Sequence, residues 1–201
     1  MKLTSLTDVK AFLEKTDSTH DSLIEIFING MSPYFEVYTG RLFEKTERIK
    51  KFDAGTRYIF LPAYPVDLSV TFEIYYRGTK LVRGGVDSDY SISPDYFLEY
   101  ETGIITFNNI YTPINPQDLE VTWTGGFGLI SDSDSDDYGV LDVPDNLRLA
   151  ATIQVSYMFK NRQNLGQSFV ALPNGQIAMS NKFTLLPLVK EMLQKEKVSL
   201  I

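Results

Sequence analysis

The sequence holds one histidine and no cysteine, so imidazole chemistry rests on a single residue and thiol chemistry is absent. His20 stands between Asp17 and Asp21, where an imidazole could join a carboxylate pair or a metal ion. A metal site with one imidazole needs carboxylates converging on it, and no local spacing supplies them, so a surface or capping role at a helix start is expected. The absence of cysteine excludes disulfides, thiolate metal sites and a cysteine nucleophile, and the G-x-S-x-G turn of a serine hydrolase is missing.

The most suggestive local motif is Asp132-Ser133-Asp134-Ser135-Asp136-Asp137-Tyr138-Gly139. Aspartates at alternate positions are how a calcium loop arranges oxygens around a hard cation. Position six is Asp137 where the turn requires glycine, and position twelve is Val143 where a bidentate glutamate is needed. Asp132, Asp134 and Asp136 are therefore an incomplete calcium-loop candidate, and the run from Ser131 to Asp137 reads as a solvated loop.

Gly125-Gly126-Phe127-Gly128 follows a strand pattern as a phosphate loop would, but it lacks G-x-G-x-x-G spacing and the Lys-Ser/Thr pair, leaving a strand-exit turn. Tyr64, Tyr75, Tyr76, Tyr90, Tyr96, Phe97, Tyr100 and Tyr111 could form a stacking platform for sugars or bases, although strands favour such residues for packing alone. No acidic pair is marked as a general acid and base. The expectation is a chain without catalytic residues, required metal or cofactor.

The elements that must position these residues begin with length and charge. At 201 residues folding buries ~70% of the unfolded surface. A formal charge of −7 and a pI near 4.8 argue against a protein that grips phosphate backbones, while allowing DNA to slide past. Apolar runs are interrupted by charge before the ~18 residues of a membrane span, and the N-terminus opens directly into a capped helix pattern. Neither a membrane span nor a secretion signal is expected.

A first helix from about Ser5 to Lys15 follows from Leu6, Val9, Phe12 and Leu13 behind a Ser5-Leu6-Thr7-Asp8 capping box. A second restarts at Asp21 with Leu23, Phe27, Met31, Phe35 and Tyr38 and stops at Gly40, with a kink or break expected near Gly30 because of Pro33. From about residue 48 to 128 the period is two, giving five to seven short antiparallel strands, among them Tyr58 to Leu61 and Ile104 to Phe107. Val143-Pro144-Asp145 opens a long helix near 144–164, with Gly166 as its stop. Between Leu149 and Phe159 only Thr152, Gln154 and Ser156 are clearly polar, which predicts a helix enclosed on several sides at the centre of the core.

The segment Gln167 to Lys182, with its Pro173-Asn174-Gly175 turn, reads as an extended arm or loop, and an amphipathic helix with Leu185, Leu188, Val189, Met192 and Leu193 follows. The predicted class is α+β: two N-terminal helices, an enlarged antiparallel β region, the long helix and a C-terminal helix. The predicted domains are a core of residues 1–165 and a C-terminal arm of 166–201. A stripe this narrow needs a partner surface, so the arm is expected to be mobile in an isolated subunit and to order on assembly. Its deletion is expected to leave a folded protein that no longer assembles.

Four stretches in order resemble the head-tail connectors of tailed bacteriophages, also called head-completion or neck adaptor proteins. They are Tyr34 to Phe43, with its Tyr38-Thr39-Gly40-Arg41 helix end; Leu61-Pro62-Ala63-Tyr64-Pro65-Val66; Leu119 to Gly128, ending in glycine-aromatic-glycine; and the helix that opens at Val143-Pro144 and runs to Asn161-Arg162. The resemblance covers residues 1 to 165. It implies a non-enzymatic virion protein with a helical core, forming a ring of twelve copies that joins the portal protein to tail or neck proteins around a DNA channel, with assembly in the host cytoplasm. The β region from about Val66 to Asn115 exceeds what compact members need, and the acidic loop and arm lie outside the pattern. A tail-completion or terminator protein would share the assembly role. A ligand- or carbohydrate-binding β module is the other reading, and it leaves the terminal helices without a purpose.

Overall fold

A computed structural model describes residues 1–84, 93–111, 116–131, 139–164, 169–171, 177–179 and 184–197. The chain divides into two compact units. Unit 1 comprises Met1–Thr39 and Leu129–Lys197, and unit 2 begins with the continuous segment Gly40–Gly128. The class is α+β, with helices and antiparallel sheets segregated along the chain.

Unit 1 is helical, with α1 (Leu6–Phe12), α2 (Asp21–Thr39), α3 (Asp145–Lys160) and α4 (Pro187–Met192), the last extended by a 3-10 turn, Leu193–Glu196. α1 starts where the capping box places it. The Ser5 side chain accepts from the Asp8 backbone N–H at 3.1 Å, and the Asp8 carboxylate accepts from the Ser5 N–H at 3.4 Å.

α3 touches α1, α2 and α4. It buries Leu147, Ala150, Ala151, Val155, Met158 and Phe159, so it is the central helix of this unit. Its N-cap is Pro144, and the helix ends at Lys160 before a 3-10 turn over Arg162–Asn164, short of the continuous run to 164 that the pattern suggests. Gly166 lies outside the described residues. Strands β8 (Phe169–Ala171) and β9 (Ile177–Met179) pair antiparallel inside the segment read as an extended arm, while Pro173-Asn174-Gly175 lies outside the described residues.

Of the kink or break expected in α2, the break does not occur. The helix runs unbroken through Pro33 to Thr39, and Gly40 at φ 70 ends it in the left-handed region. Proline removes one intrahelical bond, but Ile28, Met31, Ser32 and Phe35 on both sides of it are buried. Their packing outweighs the loss.

Asp8 also holds α1 to α3, accepting from Arg148 Nε at 2.6 Å. Burial alone raises this carboxyl, but the hydrogen bond and charge of Arg148, with the bonds from Ser5, outweigh it and hold the group below the ordinary carboxylate range. A depressed folded value means that the stabilisation is fully present above the unfolded value of ~3.9 and is lost as pH falls through that region. Asp8→Asn is therefore expected to cost about 1 kcal/mol at pH 7. Urea melts at pH 7 and pH 3 check this, the gap between variant and wild type shrinking at the lower pH.

Unit 2 holds two antiparallel sheets, one ordered β1-β7-β3-β4 and the other β2-β6-β5. Their strands are β1 (Thr46–Phe52), β2 (Tyr58–Phe60), β3 (Glu73–Tyr76), β4 (Thr79–Lys80), β5 (Tyr96–Glu99), β6 (Ile104–Phe107) and β7 (Leu119–Gly125). The alternation in β7 is complete: Leu119, Val121, Trp123 and Gly125 are buried, and the residues between them are half-buried. Leu61, Ile74, Tyr96, Ile105, Phe107, Val121 and Trp123 form a core belonging to this unit. Within the stretch of period two, β3 starts at Glu73, and Val70 before it is exposed. Edge strand β1 carries Arg48 and Lys50 on the same face as Phe52, a placement that discourages pairing with another strand.

Candidate functional site

Among the described residues, His20 and its neighbouring carboxylates are engaged in structure. The His20 ring packs edge-on against Phe159 with centroids 5.5 Å apart. Asp17 accepts from the Thr19 N–H at 3.1 Å, and Asp21 pairs with Lys10 at 2.9 Å, so these carboxylates do not converge on the imidazole. Among the described residues no group of three His, Cys, Asp or Glu could hold a metal ion. Asp132, Asp134 and Asp136 lie outside the described residues.

Of the aromatic residues considered as a platform, Tyr76 and Tyr111 pack on each other, and Tyr96 and Tyr111 pack on Phe107. Tyr76 and Tyr111 lie 4.7 Å apart, Phe107 and Tyr111 5.8 Å, and Tyr96 and Phe107 6.3 Å. Burial pushes Tyr96 up to about 12; burial, together with the hydrogen bond to Asp95, does the same for Tyr111. Both phenols stay protonated and structural. Phe97 and Tyr100 are exposed, and Tyr90 lies outside the described residues. Among the described residues no helix is long and apolar enough to cross a membrane.

Three of the four motif segments converge. The chain enters unit 2 at Gly40 and reaches its end at Gly128, and the two ends are bonded together there. Phe127 N–H donates to Phe43 O at 2.6 Å, and Lys45 N–H donates to Phe127 O at 2.9 Å. The Leu61–Val66 segment closes the third side: Leu42 N–H donates to Pro62 O at 2.7 Å, Gly126 N–H to Pro65 O at 3.0 Å, and Trp123 Nε1 to Ala63 O at 3.0 Å.

At the centre is Arg41, only 3% exposed. Its guanidinium carbon lies 3.6 Å from the Tyr64 ring centroid, 4.8 Å from that of Phe127 and 5.7 Å from that of Phe43, and its Nη2 donates to the Tyr64 carbonyl. A buried cation is costly unless paired, and three aromatic faces with a carbonyl provide that pairing. Arg41 clamps the two ends of the inserted segment. The sequence marked it only as part of a motif; an arginine among three aromatic-bearing segments was the available signal.

The glycines of this junction differ in what they permit. A Cβ at Gly125 would lie 2.3 Å from the Ala63 carbonyl oxygen, and one at Gly126, where φ is +111, would lie 2.6 Å from that of Phe43. Both obstacles are backbone. At Gly128 a Cβ meets nothing within 4 Å. Gly125→Ala is thus expected to cost about 3 kcal/mol or more, against less than about 0.5 kcal/mol for Gly128→Ala. Denaturant titration followed by emission of Trp123, the single tryptophan, reads the difference.

No protein-family model matches the chain, and no curated protein matches it in sequence. Solved structures do. A chain in the neck of an empty gene transfer agent (GTA) particle, computed with C6 symmetry, is similar with a TM-score of 0.53 at 14% identity, over 99% of this chain and 91% of that one. The virion of a native GTA particle contains a chain similar with a TM-score of 0.52 at 15% identity, over the same shares. This chain has the fold of a GTA neck chain. The similarity in fold spans 99% of this chain in both comparisons.

The stripe assigned to an assembly arm is mostly used within unit 1. Leu185, Val189 and Leu193 are at most 3% exposed, Met192 is half-buried, and Leu188 is 54% exposed. α4 packs on α3, and its following 3-10 turn packs on α2. The partner surface that the spacing demanded is supplied for three of the five residues by the chain itself. Gln154, 1% exposed in α3, fixes this docking: its Oε1 accepts from the Leu186 N–H at 3.0 Å, and its Nε2 donates to Thr184 O at 3.3 Å. Nothing local in the sequence distinguishes such a glutamine from a solvent-facing one.

Proposed function

We propose that the chain is a structural neck protein of a phage-like particle, in which copies form a ring between the portal protein and the tail or neck proteins and surround the path of DNA. The observation that carries the reading is the fold shared along 99% of the chain with a GTA neck chain. Engagement of His20 and its neighbouring carboxylates in packing and ion pairs agrees with a role without catalysis. The charge of −7 suits a channel that does not hold DNA by counterion release. Twelve copies is the ring number that the connector resemblance implies.

The C-terminal segment takes part through the surface that its own unit leaves uncovered. Leu188 is the stripe residue available to a portal or adjacent subunit, while Leu185, Val189 and Leu193 hold the helix in place. The decisive experiment deletes the gene and examines the particles by electron microscopy. DNA-filled heads and finished tails that fail to join support the reading; normally tailed particles overturn it. Heads joined to tails of irregular length would instead identify a tail terminator.

A further inference from the structure

Between the loop that leads into β3 and the segment that begins with β4, unit 2 opens a groove of about 410 Å³. We propose that it docks an extended segment of a partner protein that presents one carboxylate between apolar side chains, with Arg83 and Tyr96 receiving the carboxylate. The site goes beyond the neck reading and does not depend on it.

The apolar walls are Leu68, Val70, Phe72, Leu81 and Val82. Leu68, Val70 and Val82 are 46%, 45% and 41% exposed. Single exposed apolar side chains are ordinary, whereas several around one concave surface mark a place where something binds.

Tyr96 also lines the groove and is 2% exposed. Its ring packs on Phe72 and Phe107, with centroids 6.1 and 6.3 Å away. Among the described residues its hydroxyl makes no hydrogen bond. A buried phenol ordinarily finds a partner, so a donor stands unused here. Pushed up to about 12 by burial, the hydroxyl donates rather than ionises.

Arg83 is the bridge partner of Tyr96, which sets the two side by side. It is half-buried, and among the described residues it has no ion pair or side-chain hydrogen bond. The carboxylates close enough to act on Tyr96 are Glu73 and Asp95, and both are already engaged. Glu73 takes Lys80 at 2.7 Å and the Tyr75 hydroxyl at 3.0 Å, while Asp95 takes the Val82 N–H at 2.8 Å and the Tyr111 hydroxyl at 3.0 Å. In a chain of −7 the groove therefore keeps one cation and one hydroxyl donor without a partner among the described residues. Together they select an anionic acceptor, and one guanidinium matches the single charge of a carboxylate better than the nearly double charge of a phosphoryl group.

The occupant is a protein segment because of how open the walls are. A small ligand is held by burying most of its own surface, which walls more than 40% exposed do not provide. Tyrosine and arginine among aliphatic side chains are instead the composition of an interface anchor. Lys80 at the rim belongs to β4, an end strand of its sheet, and such an edge admits a neighbour in extended form.

The full chain is titrated with the capped tripeptide leucine-glutamate-leucine and followed by proton-nitrogen correlation spectra. Amide signals of residues 68–72 and 80–84 are expected to move, with a Kd of about 1 mM or tighter. The glutamine counterpart should bind at least about fivefold more weakly. Arg83→Gln should bring the two peptides to equal affinity. Tyr96→Phe should melt no lower than wild type, since the hydroxyl it removes has no bond to lose, and should weaken only the glutamate peptide. Shifts confined to other residues, equal affinity of the two peptides for the wild-type chain, or an Arg83→Gln chain that keeps the preference overturns the proposal. If Arg83→Gln does not fold, the peptide pair and Tyr96→Phe decide it. Decanoate that displaces the peptide and binds more tightly assigns the groove to a small amphiphile, and also overturns it.

Discussion

Truncation before Thr184 is expected to unfold unit 1 rather than leave a stable, shortened one. The amphipathic stripe suggested an arm whose removal would leave a folded protein that no longer assembles, because spacing shows that a face is apolar but not what covers it. Leu185, Val189 and Leu193 are at most 3% exposed, and burial of such side chains is worth roughly 1.5–3 kcal/mol each. Their loss alone is on the order of 4.5–9 kcal/mol, comparable with the whole stability of a small domain. Deletion also strands the Gln154 amide, which is 1% exposed and bonded to the backbone at Thr184 and Leu186, at about 1–3 kcal/mol more. Circular dichroism at 222 nm should show lost helix at 25 °C, and proteolysis should cut within residues 145–160. A truncated chain that keeps its helical signal and melts with the wild type would place α4 outside the fold's requirements, as the stripe first suggested. Leu188→Asp separates the two roles, since an exposed change leaves folding within about 0.5 kcal/mol while altering what can dock there.

Local signals were legible wherever one segment fixes its own geometry. The Ser5–Asp8 box sets the start of α1, the period of two sets β7, and Arg77-Gly78, at φ 51 and 82, makes the two-residue turn between β3 and β4. What the sequence hid is what distant segments do to each other. Pro33 signals a break only if the helix stands alone; with Met31 and Phe35 buried around it, α2 continues. Thr152, Gln154 and Ser156 are polar at positions a simple pattern turns to solvent, yet Thr152 bonds Thr4 at 2.6 Å and Gln154 bonds the backbone before α4, so they lie inside. The Arg41 junction needs segments near 41, 63 and 126, and each motif alone gives no hint that they meet.

Ala151→Asp is expected to destroy unit 1 and to spare unit 2. Ala151 is fully buried on α3, the helix that touches α1, α2 and α4. A carboxylate there is desolvated without a partner, a change that costs about 3–5 kcal/mol or more, and the methyl position leaves no room for the added atoms. Trp123 belongs to a separate core with Ile74, Ile105, Phe107 and Val121, in a unit whose ends are tied to each other by the Phe43, Lys45 and Phe127 hydrogen bonds. Two probes therefore read two units. Helical dichroism should collapse while Trp123 emission stays blue-shifted until higher denaturant. Leu149→Asp, two residues away but 47% exposed, is the control and should stay within about 0.5 kcal/mol of wild type. Wild-type melting of Ala151→Asp would mean that this face of α3 is not enclosed. Loss of both signals in one transition would mean that the β unit depends on the helical one, and that the bonds closing residues 40–128 do not suffice to hold it.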